Sequence, residues 1–263
     1  MAGYWERKQE LAEKARLHVK EMYENYGPHI EATIRNVRIY GGPDGLPKET
    51  SAPKGTPETI VADADSVTAV YGYAEGRTAV LNFASYKNPG GMFRKGSSAQ
   101  EESLCHESTL YNVLKGFDGT YYAWNREHLY RSMYSDRALY APNVVFKRNG
   151  RRPIYCSVIT CAAPNMTAAI RNGTASKEEN MKFLASRIAF IRRIAEERGV
   201  ETLILGAFGC GVFGQDPIAV ATLFKKEFSE TTVRKIVYAV PAGPNLEAFK
   251  RVFEIRSSGK NEK

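Results

Sequence analysis

The chain has 263 residues, with 37 Lys and Arg against 29 Asp and Glu (net charge +8), four Cys and four His; 43% of it is hydrophobic and 25% charged. This composition excludes wholesale disorder, and a chain of this length buries enough surface to fold without a disulfide or metal staple. No apolar run approaches the ~20 residues of a membrane span, His18, His29, His106 and His128 lack metal-ligand spacing, and Cys105, Cys156, Cys161 and Cys210 form no CxxC pair.

The opening 27 residues mix five acids with five bases and lack the apolar stretch of a signal peptide. A cytoplasmic, reducing compartment with free thiols is therefore expected. Residues 4–26 predict a helix ended by Gly27-Pro28. Ile34, Val37 and Ile39 suggest a strand, and 41–57 is a Gly/Pro-rich connection. Strands and helices then alternate: a strand at 59–62, a helix at 65–73 and a nearly continuous apolar strand at 78–83 (TAVLNF). Residues 101–115 predict one helix, with Leu104, Ser108, Tyr111 and Leu114 on a face and Gly116 as its stop. A short helix is expected around 124–132, followed by an extended segment and a buried strand at 154–162. Ser176 and Glu179 spell a capping box that opens a helix ending at Arg198-Gly199. A strand at 202–206 follows, then Asp216-Pro217 as N-cap and N1 of a helix to about 229. A strand at 235–240 and a helix at 245–254 complete the order. The aromatics Tyr121, Tyr122, Trp124, Tyr130, Tyr134 and Tyr140, interleaved with Arg126, Arg131 and Arg137, read as packing rather than a nucleic-acid surface. KRNGRR at 147–152 reads as a solvated turn. Apolar strands alternating with amphipathic helices predict an α/β fold, a mostly parallel sheet covered on both faces, in which ligands bind beyond the carboxyl ends of the strands.

Two loops at such ends carry chemistry. After TAVLNF come Gly90, Gly91 and Gly96, then Gln100-Glu101-Glu102 at a helix start, where free N–H groups suit an anion or polar ligand. After TLILG come Gly209, Gly211, Val212, Phe213 and Gly214, a strand–glycine-loop–helix order that takes phosphate on backbone amides. Together they predict a cleft for a diphosphate-bearing ligand. Gly209 to Gly214 spells GxGxxG, but it lies late in the chain with no acid on the next strand, so a dinucleotide-binding domain is excluded. Side chains of adjacent helical residues point about 100° apart, so Glu101 and Glu102 have different jobs, one on ribose hydroxyls and the other on a glycosidic oxygen. Each has a plainer reading as well: Ser98 and Glu101 spell a capping box, and first-turn acids favour helix starts. Cys105 and Cys210 read as inert thiols.

NFASYKNPGGMFRKGSSAQEESLCHESTLY together with LGAFGCGVFGQDP resembles the microbial type of poly(ADP-ribose) glycohydrolase in the macrodomain superfamily. The likeness runs from about residue 59 to the last helix. It implies one macrodomain-like catalytic domain over 1–263: a helix–strand extension at 1–58, a core at 59–254 with a mixed sheet between helices, and a flexible tail at 255–263. It further implies that Glu102 is the acid on the ribose–ribose bond and that Glu101 holds the ribose. Gly90 and Gly91 would line the distal ribose and diphosphate, Gln100 would complete the catalytic triplet, and Asn82 would shape the pocket. Gly209, Gly211, Val212, Phe213 and Gly214 would wrap the diphosphate. Met92 stands where the family has a third glycine. The implied partners are ADP-ribose, poly(ADP-ribose) and ADP-ribosylated macromolecules, for a monomer with no cofactor and no membrane contact; direct nucleic-acid binding is not expected but is left open. The alternatives are a hydrolase of mono-ADP-ribosylated protein or nucleic acid and a reader that binds ADP-ribose without cleaving it. Residues 117–199 carry +7 of the charge and 59–116 carry −1, so the basic balance is expected to steer the polymer rather than mark the catalytic loop.

Overall fold

A computed structural model describes residues 3–254; the tail expected at 255–263 lies outside the described residues. In chain order the elements are α1 (Tyr4–Asn36), β1 (Arg38–Tyr40), β2 (Glu58–Ala62), α2 (Ser66–Tyr73), β3 (Thr78–Phe83), α3 (Gln100–His106), α4 (Leu110–Lys115), α5 (Ala123–Glu127), β4 (Ala138–Phe146), β5 (Ile154–Cys161), α6 (Met166–Arg171), α7 (Lys177–Glu197), β6 (Thr202–Leu205), α8 (Pro217–Glu227), β7 (Lys235–Ala239) and α9 (Pro244–Glu254). The chain contributes to two compact units by turns. One is built from Met1–Leu46, Ala79–Tyr130 and Tyr134–Ala162, the other from Pro47–Thr78, Arg131–Met133 and Ala163–Lys263.

The first unit has the strand order β1-β4-β5-β3. β4 is antiparallel to both neighbours, with Tyr140 opposite Arg38 on one side and Ile159 on the other. β3 and β5 are parallel, Ala79 opposite Ser157 through Phe83 opposite Cys161. TAVLNF is buried from Thr78 to Asn82, as its unbroken apolar run requires of a strand covered on both faces. α1 packs on α4, β4 and a short turn at Phe93–Lys95. The second unit has the order β6-β7-β2, all parallel, with Leu203 opposite Ile236 and Ile236 opposite Thr59. α2 lies against β6 and β7, and α9 against β2 and α8. Leu203, Ile204, Ile236 and Val237 are fully buried there.

Most elements lie within a residue or two of their expected bounds, but three helices do not. The one expected around 124–132 ends at Glu127, and Arg131 has φ +57°, outside the helical region. Gly27-Pro28 does not end α1, which kinks at Tyr26 (φ −132°) and continues to Asn36 with Pro28 inside it. A proline in the first turn beyond a kink gives up only an N–H that has no helical acceptor there. Ile34 is consequently helical, and β1 is only three residues long. The helix expected at 101–115 is two helices. Between them Ser108 bridges antiparallel to Phe146, Thr109 N–H donates to Val145 O (2.9 Å) and Lys147 N–H donates to Glu107 O (2.8 Å). Ser108 Oγ donates to Leu104 O at 2.6 Å, a side-chain bond of the kind that competes with the helical ladder. β4 and its end thus supply the backbone partners that a continuous helix would have supplied itself.

Ser176 caps α7 by accepting from Glu179 N–H at 3.1 Å, but the Glu179 carboxylate pairs with Arg131 instead of returning to close the box. Asp216 and Pro217 take their expected places at the start of α8. Tyr121, Tyr122, Tyr134 and Tyr140 are buried, and Arg137, also buried, lies 4.2 Å over Trp124 while pairing with Asp44. Residues 147–152 form the turn between β4 and β5, with Lys147 and Arg148 paired to Glu21 and Glu107.

Candidate active site

β3 delivers Asn82 and Phe83 to the start of the first glycine loop, and the loop folds back so that its amides meet α3. Glu101 accepts from Asn82 Nδ2 on Oε1 (3.1 Å), from Ser85 N–H on Oε2 (2.7 Å) and from Gly90 N–H. Glu102 accepts from Met92 N–H on Oε1 (2.8 Å) and from Ala99 N–H on Oε2 (3.0 Å). Both glutamates are buried, at 3% and 5% exposure. Gly91 stands against the pair. Its φ is +60°, and a Cβ there would come within 2.6 Å of Glu102 Oε1 and 2.9 Å of Glu101 Oε2. Only glycine combines that backbone with that approach.

Of the capping box expected of Ser98 and Glu101 only the acidic half forms, and one residue later, because the N-cap alanine has no side-chain oxygen to accept an N–H. Ala99 is the N-cap, and Glu102 takes its N–H. Glu101 is therefore not the cap. Gln100 spends its amide on strand backbone, donating to Leu81 O (2.9 Å) and accepting from Phe83 N–H (2.8 Å), so it latches α3 to β3. Asn82 is fully buried, and its Nδ2 also reaches Thr160 Oγ1 at 3.3 Å. Met92 has φ −108°, which any residue adopts; its N–H serves Glu102 while the residue is 41% exposed. The residue in the third glycine position thus keeps the backbone contact.

Burial dominates the electrostatics. It pushes the Glu101 carboxyl up to about 8, the negative charge of Glu102 adds to the rise, and the three donors oppose it. Burial outweighs the lowering that a helix start exerts on a first-turn carboxyl. Burial, then Glu101 and Glu102, holds the Cys105 thiol well above its usual range, and burial followed by Asp216 pushes Cys210 up to about 12. Both thiols are inert on this ground, as expected. Sequence reasoning missed Ser85, whose contribution is a backbone N–H with no side-chain signature. It also missed Tyr122, buried in a π-helical turn at Asp118–Tyr122, whose phenol is pushed up by burial and then by Glu101.

In the second unit, the loop after β6 is two successive turns, Cys210 N–H to Ala207 O (3.1 Å) and Gly214 N–H to Gly211 O (3.0 Å). Its base is tied by buried Gln215, which donates to Pro164 O and Asn180 Oδ1 (2.8 Å each) and accepts from Asn180 Nδ2 (2.9 Å). Gly214 has φ +72°, and a Cβ there would stand 2.3 Å from Thr167 Oγ1. The 211–214 turn presents Val212, 84% exposed, beside half-buried Phe213. The structure thus brings Asn82, Gly90, Gly91, Gln100, Glu101 and Glu102 together in the first unit. Gly209, Gly211, Val212, Phe213 and Gly214 share one loop of the second. Among the described residues no group of three or more His, Cys, Asp or Glu side chains is placed to hold a metal ion.

The family model for the microbial-type PARG catalytic domain matches residues 10–149, which include the first loop and both glutamates. No curated protein matches the chain. Among solved structures, the poly(ADP-ribose) glycohydrolase of Thermomonospora curvata bound to the inhibitor ADP-HPD is 28% identical. It covers 93% of this chain and 100% of its own, with a TM-score of 0.79. That of Deinococcus radiodurans in complex with ADP-ribose is 29% identical, covering 87% and 98%, with a TM-score of 0.76.

Proposed function

The chain belongs to the microbial-type poly(ADP-ribose) glycohydrolase family and is a poly(ADP-ribose) glycohydrolase, and from that premise we propose that Glu102 is its general acid and Glu101 the carboxylate that holds the ribose. The observation that carries this reading is the buried pair meeting at Gly91, with the Glu101 carboxyl pushed up to about 8. Two like groups in so dry a place keep a proton between them at neutral pH.

In the proposed reaction the pair's proton moves from Glu101 onto Glu102 and passes to the leaving ribose oxygen as the glycosidic C–O bond breaks. Glu101, with three N–H donors, carries the negative charge beside the oxocarbenium-like ribose. Water adds to the anomeric carbon and returns a proton to Glu102, and ADP-ribose leaves. Asn82 and Gln100 hold Glu101 and the α3 start in place, and Gly90 and Gly91 let the backbone approach the ribose and diphosphate. The amides of Gly209, Gly211, Val212, Phe213 and Gly214 take the diphosphate, with Phe213 against the distal ribose. Because Met92 gives Glu102 only a backbone N–H, its presence is compatible with polymer cleavage. A mere reader of ADP-ribose needs no acidic pair. The free state of all four cysteines supports a reducing, cytoplasmic setting, and no described helix is long and apolar enough to cross a membrane.

The test is incubation with poly(ADP-ribose). The parent releases ADP-ribose, and Glu102→Gln slows release by about 10²–10⁴-fold, the usual worth of a general acid, while still binding free ADP-ribose. An equally fast Glu102→Gln sinks the assignment.

A further inference from the structure

Phe93 directly follows Met92, opens the turn at Phe93–Lys95 and is fully buried. Its ring meets three others, each from a different helix. His106, the last residue of α3, lies at 4.6 Å between centroids with planes 72° apart; Tyr111 of α4 lies at 5.0 Å and 46°, and His18 of α1 at 6.5 Å and 85°. α1 and the turn meet again at Gly96, where a Cβ would stand 2.0 Å from the Lys8 carbonyl oxygen. The turn is closed by Phe93 N–H on Gly90 O (3.0 Å) and Gly96 N–H on Phe93 O (3.1 Å), while Met92 O accepts from Lys95 (2.9 Å) and Ser97 (3.3 Å) N–H. Met92 is thus fixed on its carbonyl side by the turn and on its N–H side by Glu102 Oε1 at 2.8 Å. The adjacent side chain that anchors this peptide to the rest of the unit is Phe93.

We propose that Phe93 is a positioning residue for glycosidic cleavage, its cage of His18, His106 and Tyr111 fixing the Met92 N–H on the Glu102 carboxylate and making α1 part of what holds the acid in place. The proposal rests on the reading of Glu102 as the acid. One physical effect connects the cage to the rate: a displacement of order 1 Å in a reacting group costs about a hundredfold. The cage is uncharged at neutral pH, because burial holds both imidazoles below their usual range. The charged groups acting on them are Glu21, Lys147 and Glu107 at His18, and Glu107 and Lys14 at His106.

The test uses the full chain with Phe93→Leu, which keeps apolar volume and removes the ring, and His18→Ala, which removes the α1 wall together with the 2.9 Å hydrogen bond of His18 Nε2 to Ser108 O. Phe93→Leu is expected to lower kcat on poly(ADP-ribose) about ten- to a hundredfold. ADP-ribose affinity should stay within about twofold, so that the loss falls on kcat alone. His18→Ala is expected to lower kcat about threefold, again with affinity kept. Should Phe93→Leu fail to fold, His18→Ala decides alone. A folded variant with kcat within about twofold of the parent overturns the proposal; so does kcat lost in step with ADP-ribose affinity. Glu102→Gln is measured alongside. If it is inactive while Phe93→Leu is normal, the positioning role alone fails. If it is as active as the parent, the acid assignment fails and this proposal fails with it.

Discussion

At the scale of single residues, the buried pair makes pH the natural probe. A Glu101 carboxyl at its ordinary value of 4.5 in the unfolded chain and at about 8 in the fold means that the folded protein holds a proton the unfolded chain has lost between those values. Stability from this group is therefore present in acid, falls as pH rises from about 4.5 to about 8, and is flat above. Glu101→Gln cannot ionise and is expected to remove this slope, so its melting temperature relative to the parent rises between pH 5 and pH 8. An unchanged difference across that range would mean that the carboxyl is charged in the fold. The same proton sets the rate profile: kcat of the parent should fall above about pH 8. The QEE triplet stood out in the sequence by its place after a glycine loop. The donors around it did not, because Ser85, Gly90, Met92 and Ala99 contribute backbone N–H groups whose direction depends on how the loop folds.

At the scale of elements, the packing of α1 and α3 on Phe93 carries a linkage of the opposite sign. His18 and His106 are held below 6.5, in each case chiefly by burial. The unfolded chain takes up protons that the fold refuses, and stability is lost as pH falls below about 6.5. His106→Phe, which keeps an aromatic edge on Phe93 and cannot charge, is expected to flatten the acid side of the melting-temperature profile and to leave the slope between pH 7 and pH 8 in place. Equal acid slopes in parent and variant would exclude the imidazole as its source. The break between α3 and α4 belongs to this scale too. Residues 101–115 have helical spacing throughout, and their one local competitor is the Ser108 hydroxyl on Leu104 O. The interruption comes from Phe146, Val145 and Lys147, far along the chain, which offer the backbone of 107–109 other partners. At Gly27-Pro28 the local stop signal is strong, yet the helix resumes, because packing on α4 and β4 rewards its continuation.

At the scale of the whole molecule, the net charge of +8 is not one bare basic face in the 117–199 segment. Arg126 pairs with Asp118, Arg131 with Glu179, Arg137 with Asp44, Lys147 with Glu21, Arg148 with Glu107, and Arg192 with Glu196 and Glu227. Several of these acids come from other parts of the chain, so the excess belongs to the summed field of the protein. That field steers an anionic polymer and is screened by salt. The kcat/KM for poly(ADP-ribose) is accordingly expected to fall with ionic strength more steeply than the affinity for free ADP-ribose. Equal salt dependence of the two would remove charge steering from the account.

The sequence by itself determined the alternation of most strands and helices, though not α6 or the break between α3 and α4, and it determined the caps at Ser176 and Asp216, the two glycine loops and the Gln100-Glu101-Glu102 triplet. These are written in local periodicity, in turn residues and in short motifs, which act over a few residues. Only the tertiary structure decided that Glu102 rather than Glu101 caps α3, that Gln100 is spent on β3, and that α1 runs through Pro28. It likewise decided that burial, not the helix start, governs the Glu101 proton. Each of these depends on which distant backbone or side chain arrives beside the residue, and desolvation exists only once the chain has closed around it.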